Sequence, residues 1–292
     1  MTIKAKVVRY STTVSDTGTS HPLVTVEATY PRFIHAELMT HRVLSRNASS
    51  SRAIPVKKAI SLIRSDPAMP VHWGQNQPGM QAEQELSGLK KAVMRFLWLM
   101  GMWIMTTIAL LADLLGVHKQ IVNRLCEPWA HITVVITSTE WANFFVLRRH
   151  PDAQPEIHAL ADAIYEAISA STPANLHAGE WHLPYVNEDV DIDLARYGGN
   201  KIGVDTIEVL KMMSAARCAR VSYLTHDGLL PTVEQDIALY KRLAGSAPIH
   251  ASPLEHQATP TGKDEFVGNL CGWKQFRKEH AHENHAGFGV AT

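Results

Sequence analysis

An uncharged apolar run in the first half of the chain constrains its possible folds more than any other feature. Residues 96 to 112 read FLWLMGMWIMTTIALLA, between Arg95 and Asp113. At a rise of about 1.5 Å per residue, this run lies at the short end of what crosses a bilayer. Two threonines interrupt it and charged sequence lies close on either side, which favours a helix buried in a large core or an oligomer. A membrane span stays the alternative, and the Trp and Met stripe of residues 94 to 105 is interpreted as core.

The overall composition is that of a globular protein, and the cysteine usage indicates a reducing compartment. Hydrophobic residues make up 46% and charged residues 19% of the 292 residues, which excludes disordered, collagen-like and acidic or basic tail proteins. Since 28 Lys plus Arg balance 28 Asp plus Glu, no global field attracts polymeric nucleic acid. Three widely spaced cysteines and an amino terminus without a signal-peptide core favour a cytoplasmic protein.

Hydrophobic periodicity and cap residues predict alternating helices and strands. In chain order, we expect a strand over 24–29 ended by Pro31, a helix over 32–43, a loop over 75–79, a strand over 131–137, a helix capped by Asp152, a loop-rich connection that includes Gly198 and Gly199, and a helix between Thr232 and Gly245. The last of these rests on a capping box formed by Thr232 and Gln235.

The segment from His41 to Arg52 has the composition of an anion-binding loop. It carries three arginines, one asparagine and four serines. Hydroxyls and backbone N–H groups donate to phosphate oxygens, and guanidinium groups add bidentate, charge-assisted hydrogen bonds. On composition alone, a solvated polar loop is an equal alternative.

The order of these residues resembles a known signature. The pattern H-R-x-x-S-x-N-x-x-S-x-R is formed by His41, Arg42, Ser45, Asn47, Ser50 and Arg52, and it resembles the signature of the flavin-dependent thymidylate synthases. Thr40 stands where the family has arginine, and Ala48 where it usually has glutamate. The blocks N-F-F-V-L-R at 143–148 and A-Q-P-E-I at 153–157 are similar to a second family element.

Two further sequence blocks lie far after the signature, although the family carries both of them before it. The sequence I-H-A-S-P-L-E-H at 249–256 resembles the family's G-H-x-S-P-F-E-H, and A-R-C-A-R-V-S-Y at 216–223 resembles its A-A-R-V-S-Y. We therefore predict a circular permutation, which is tolerated where the old termini lie close together. Residues 1–292 then form a single domain: a signature and nucleotide-binding part at 22–170, the permuted segment at 205–260 and an extra tail at 261–292.

The resemblance implies an α+β homotetramer with active sites across subunit interfaces. It implies FAD as cofactor, NADPH as reductant, methylenetetrahydrofolate as carbon donor, and conversion of dUMP to dTMP. The resemblance assigns catalytic roles to Arg148 and Ser50. It assigns flavin contacts to His41, Arg42, Asn47, Asn143, His250 and Ser252. It assigns substrate contacts to Ser50, Arg52, Arg124 and Arg148.

The sequence leaves alternatives open for the substrate, the product and the class of protein. The same machinery could methylate or hydroxymethylate dCMP or dUMP, and Thr40 and Ala48 are the residues that could reflect such a change. In another class, the chain could be a non-catalytic nucleotide- or flavin-binding relative. No metal site is predicted, because no carboxylate or cysteine pattern completes a site around His280, His282 and His285. No membrane partner is expected.

Overall fold

The structure is a computed structural model that describes residues 3–222 and 231–284. Its strands are β1 (Lys4–Val14), β2 (Ser20–Pro31), β3 (Ser45–Ala48), β4 (His131–Ser138), β5 (Ala174–Asn175), β6 (Ala258–Pro260), β7 (Phe266–Val267), β8 (Leu270–Cys271) and β9 (Trp273–Gln275). Its α-helices are α1 (His35–Met39), α2 (Val56–Ser65), α3 (Gly88–Leu114), α4 (Lys119–Val122), α5 (Ala142–Arg148), α6 (Pro155–Ser169), α7 (Glu188–Ile202), α8 (Thr206–Ala219) and α9 (Val233–Ala244). This confirms the predicted α+β class.

The main sheet has the strand order β3-β4-β2-β1-β5. Neighbouring strands are antiparallel except β1 and β5. The period-two pattern of β2 places Val24, Val26 and Ala28 on one face, where they pack against the apolar stripe of α6. The strands predicted at 24–29 and 131–137 are thereby confirmed as β2 and β4.

The opposite face of the sheet binds the carboxyl-terminal part of the chain through buried polar groups. Thr25 Oγ1 lies 2.7 Å from Thr137 Oγ1 and 2.8 Å from His182 Nε2. Thr137 Oγ1 lies 2.8 Å from His256 Nδ1, and His182 Nδ1 lies 2.9 Å from Ser11 Oγ. Both rings are fully buried, and burial lowers the pKa of each, that of His256 to about 3. Two neutral histidines therefore join the part of the chain after β5 to β1, β2 and β4.

Two predicted helices have different boundaries in the structure. The helix expected over 32–43 is a 3₁₀ turn followed by the short α1, which ends where the Arg46 guanidinium donates to the carbonyls of Leu38 and His41. The helix expected to be capped by Asp152 begins later, at Pro155. Proline fixes φ near the helical value and needs no hydrogen bond at the first helical position.

The capping box of α9 is confirmed, but the expected loop at Gly198 and Gly199 is wrong. Both glycines lie inside α7. A Cβ on Gly198 would come within 2.7 Å of Val233 Cγ1, and one on Gly199 within 2.4 Å of the Val204 carbonyl oxygen. The glycines therefore permit a close approach that tertiary packing requires, which local propensity does not reveal.

The apolar run is helical as predicted, but the core of the single chain buries only one side of it, and burial in an oligomer stays a prediction. Residues 88–114 form α3, and only 17% of its most apolar window is buried. Met102, Thr106 and Ala109 face α2 and the 3₁₀ helix Asn123–Trp129. Within the described residues, α3 is the helix long and apolar enough to cross a membrane by length and composition.

Candidate functional site

The signature runs along an edge of the main sheet. It begins after α1, continues through edge strand β3 and ends in the loop before α2. β3 pairs with β4, with Ser45 opposite Thr137 and Ala48 opposite Val134. Because side chains alternate along a strand, Ser45 and Asn47 face the carboxyl-terminal part of the chain, while Ala48 packs on the main core.

His41 and Arg148 form the most clearly defined contact of the site. Arg148 Nε donates to His41 Nε2 at 2.9 Å. A guanidinium group has only donors, so Nε2 must be the accepting nitrogen and the neutral ring carries its proton on Nδ1. Burial, then the charges of Arg148 and Arg46, lower the pKa of His41. The arrangement therefore holds a neutral imidazole with a defined N–H donor, its ring edge-to-face against Phe144.

The end of α1 fixes the Arg148 guanidinium. Nη2 donates to Thr40 Oγ1 at 3.1 Å and to the Glu37 carbonyl at 3.4 Å, and Nη1 lies 3.5 Å from Glu37 Oε2. Burial raises the pKa of Glu37 against the opposing effect of Arg148. Thr40, the first departure from the family signature, thus supplies an acceptor where an arginine would place a second cation beside Arg148.

Asn47 joins the signature to the segment predicted to be permuted. Its Nδ2 donates to the Cys218 carbonyl at 2.8 Å, and its Oδ1 accepts from Ser252 Oγ at 3.3 Å. Ser45 is held from the same side, because Gln275 Nε2 donates to its Oγ at 3.0 Å. Residues distant in sequence therefore meet at β3.

The loop after β3 lies beside the segment that carries Arg124. Asn123 Nδ2 donates to the carbonyls of Ser51 and Ile54, at 2.7 and 2.9 Å. Arg124 follows directly, with its Nε bonded to the Gln120 carbonyl at 3.2 Å. Arg52 and Arg124 are exposed, whereas Ser50 is half-buried. Two cations therefore lie on neighbouring segments at the surface, a suitable arrangement for an anionic group.

The remaining predicted flavin contacts also lie at the surface. Arg42, Asn143 and His250 have exposed side chains, and the backbone N–H of His250 donates to the Leu243 carbonyl. Tyr223, the last residue of a predicted family block, and His285 lie outside the described residues. The structure thus brings His41 to Arg148 and Asn47 to Ser252, and leaves the side chains of Arg42, Arg52, Arg124, Asn143 and His250 exposed.

Two residues that shape the site were not predicted from the sequence. Glu37 fixes Arg148, and Asn123 ties the loop of Arg52 to the segment of Arg124. Glu37 lies four residues before His41, which places both on one face of the helix predicted over 32–43, and this spacing was the available signal. For Asn123, the only signal in the sequence was its position next to Arg124.

A cavity of about 450 Å³ adjoins the signature loop. Ser49, Ser51 and Asn123 line one side of it, and Arg32 and Lys58 line another. Its volume is within the usual range for small-molecule sites. Arg32 is paired there with Glu127 at 3.1 Å, so its charge is already compensated.

Comparisons with known proteins place the chain in a family. The family model described as thymidylate synthase complementing protein matches residues 6–174. No curated protein sequence matches the chain. The match covers more than half of the chain and includes the signature, but ends before residues 205–260, so the permutation stays a prediction.

Solved structures with some similarity to the chain include two of the UMP/dUMP methylase PolB from Streptomyces cacaoi. The one bound with 5-Br UMP has a TM-score of 0.42 and 17% identity, covering 57% of this chain and 89% of that one. The one bound with 5-Br dUMP has a TM-score of 0.40 and 18% identity, covering 51% and 67%. The flavin-dependent thymidylate synthase ThyX from Helicobacter pylori, complexed with FAD and dUMP, has a TM-score of 0.34 and 17% identity, covering 50% and 67%.

The family match and the signature agree with each other. The motif from His41 to Arg52 lies inside the matched residues, and its His41 and Asn47 make defined contacts at the sheet edge. The chain therefore belongs to the thymidylate synthase complementing protein family, the flavin-dependent thymidylate synthases, and is a methyltransferase of that type.

Proposed function

We propose that the chain transfers a one-carbon unit from methylenetetrahydrofolate to C5 of dUMP, giving dTMP, with FAD as cofactor and NADPH as reductant. The observation that carries the proposal is the family signature, arranged along β3 with His41 held by Arg148 and Asn47 held against Ser252.

The residues around the signature fit a flavin. The ring carbonyls of a flavin accept hydrogen bonds, and its diphosphate binds cations. His41 offers an Nδ1–H on a neutral ring, Asn143 offers an exposed amide, and Arg42 offers an exposed guanidinium. His250 and Ser252 lie on the segment next to Asn47. A bound flavin would supply the redox chemistry that the one-carbon transfer needs.

The substrate phosphate is assigned to Arg52 and Arg124. Both guanidinium groups are exposed on segments joined through Asn123, so they can converge on one anion. Ser50 would add a hydroxyl donor. Arg148 would polarise the pyrimidine carbonyls, so that negative charge developing on the ring is stabilised. Since reactivity is centred on the flavin, no protein nucleophile is needed, and the residues bind, orient and compensate charge.

The exposure of the predicted binding residues supports a site completed by other subunits. Arg42, Arg52, Arg124, Asn143 and His250 all have exposed side chains in the single chain. Binding energy from such groups is greater when water is excluded around them. A cytoplasmic homotetramer with sites between subunits accounts for this exposure.

A second candidate acts on dCMP, or releases a hydroxymethyl product. Ala48 packs on the main core and leaves no carboxylate after Asn47 in the signature. A carboxylate would favour the N3–H donor of uracil over the N3 acceptor of cytosine, so its absence removes one means of discrimination.

Flavin binding tests the cofactor assignment. We expect FAD to bind with micromolar or tighter affinity, which requires only about 8 kcal/mol of binding free energy. Asn143→Ala should weaken FAD binding, whereas His150→Ala, an exposed control beyond the end of α5, should not. Titration without binding at micromolar FAD would contradict the assignment, as would equal affinities of Asn143→Ala and the wild type.

A further inference from the structure

The outer face of α3 carries apolar side chains at a regular spacing. Its members are Val93, Leu97, Met100, Ile104, Leu111 and Leu114, called here the α3 seam. Each is at least 41% exposed. With exposed Thr107 included, successive positions are four and three residues apart in strict alternation. This heptad spacing is the pattern that a helix presents to another helix.

We propose that the α3 seam packs against the α3 seam of a second copy of this chain, with the two helices antiparallel. The proposal assigns one contact of the proposed homotetramer to α3. It holds whether or not the chain acts on dUMP. A large exposed apolar face usually marks an interaction surface. A second copy presents the same heptad spacing, so a single two-fold axis covers both seams.

The charges at the two ends of α3 set the direction of pairing. Lys90 and Arg95 lie near its amino end, where Lys91 is already paired with Glu85 at 2.7 Å, and Asp113 lies at its carboxyl end. Antiparallel pairing places the basic end of one helix beside the acidic end of the other, and it also aligns the helix dipoles favourably. Parallel pairing would bring the basic ends together. In the antiparallel arrangement Met100 faces Ile104 of the second copy, and Val93 faces its Leu111.

The inner face of α3 argues against a transmembrane position. Arg64 on α2 stacks on the Trp103 ring, 4.4 Å from its centroid, and its Nε donates to Thr106 Oγ1 at 3.0 Å. Both contacts lie near the middle of the helix, which is about 40 Å long. A membrane-spanning α3 would carry this guanidinium to the centre of the bilayer, where a charge is costly.

The oligomeric mass of the full-length protein tests the proposal. In sedimentation velocity, we expect the Leu97→Glu/Ile104→Glu variant to have half the mass of the wild-type assembly. Val14→Glu, which places the same charge at an exposed apolar position of β1, should keep the wild-type mass. A wild-type monomer would overturn the proposal, and so would a folded seam variant with unchanged mass.

Cross-linking tests the direction and remains decisive if the glutamate variant fails to fold. In the Val93→Cys/Leu111→Cys variant, oxidation should give disulfides between position 93 of one copy and position 111 of the other, identified by mass spectrometry. Links between two copies of position 93, or no links between copies, would overturn the antiparallel seam. Flotation of wild-type protein with phosphatidylglycerol vesicles, abolished by Leu97→Glu/Ile104→Glu, would assign the face to lipid and overturn the proposal.

Discussion

The protonation state of His41 follows from its neighbours. Arg148 can only donate, so the hydrogen bond to Nε2 leaves the ring proton on Nδ1. Burial and two nearby guanidinium groups all disfavour the imidazolium form. The signature histidine is thereby a neutral donor, and Arg148 positions it in addition to any direct role with substrate.

Removing Arg148 should raise the pKa of His41. Arg148→Met deletes a positive charge that opposes protonation, so the imidazole should titrate at higher pH than in the wild type. Nitrogen NMR of labelled histidine reports both the titration and the tautomer. Arg149→Met is the matched control, since Arg149 pairs with Asp162 instead. An unchanged His41 titration, or a wild-type proton on Nε2, would refute the arrangement.

Substitution of the exposed arginines should affect nucleotide more than flavin. Loss of one charge-assisted contact costs about 1.5–3 kcal/mol, so Arg52→Ala or Arg124→Ala should weaken dUMP binding by roughly tenfold to a hundredfold. Calorimetry with dUMP and with FAD separates the two effects. Arg196→Ala removes an exposed arginine paired with Asp193 on α7 and should change neither affinity. Equal dUMP affinity in all three variants would remove Arg52 and Arg124 from the site.

The cysteines should be dispensable for the chemistry. Burial raises the pKa of Cys126 and of Cys218, so neither is a ready thiolate. Cys126→Ala, Cys218→Ala and Cys271→Ala combined should retain turnover when folded and loaded with flavin. Abolished turnover that returns when Cys126 alone is restored would indicate a protein nucleophile instead.

Elements were predictable where local pattern and tertiary packing agree. The alternation of Val24, Val26 and Ala28 and the capping box at Thr232 both correspond to elements of the structure. The prediction of a loop at Gly198 and Gly199 was wrong, because these glycines lie in α7 and permit the close approach of Val233 and Val204. The core interpretation of α3 holds only for the side that carries Met102 and Ala109, because apolar character does not distinguish a core from an exposed face that binds a partner.

The histidines between the sheet and the carboxyl-terminal part should make folding sensitive to acid. The folded pKa values of His182 and His256 lie below the ordinary value, so the unfolded chain binds more protons and stability falls as pH drops below about 6.5. For His256 this continues towards a pKa of about 3. Each such group contributes up to about 1.4 kcal/mol per pH unit once the unfolded histidine is fully protonated.

Urea unfolding between pH 7 and pH 5 measures this dependence. We expect His182→Asn to lower the stability at pH 7 and to flatten its decline with acid, because one titrating group is gone. His150→Asn removes an exposed histidine outside the network and should leave the slope unchanged. A slope equal to wild type in His182→Asn would contradict the role of the buried pair.

At the scale of the whole molecule, the site joins parts of the chain that only the fold brings together. Ser252 bonds Asn47 although 205 residues separate them. Sequence motifs identified both residues, because each belongs to a block with a recognisable order. Motifs did not reveal Glu37 or Asn123, whose importance comes from contacts made after folding. The predicted permutation remains the simplest explanation of this arrangement.

The identity of the product tests the central claim most directly. Purified protein would be supplied with FAD, NADPH and methylenetetrahydrofolate, and with dUMP or dCMP, and the nucleotides analysed by mass spectrometry. We expect dUMP to gain the mass of one CH₂ group, giving dTMP, with no change in dCMP and no reaction without the folate donor. Unchanged dUMP in the folded, flavin-loaded protein, or modification of dCMP alone, would contradict the proposed reaction.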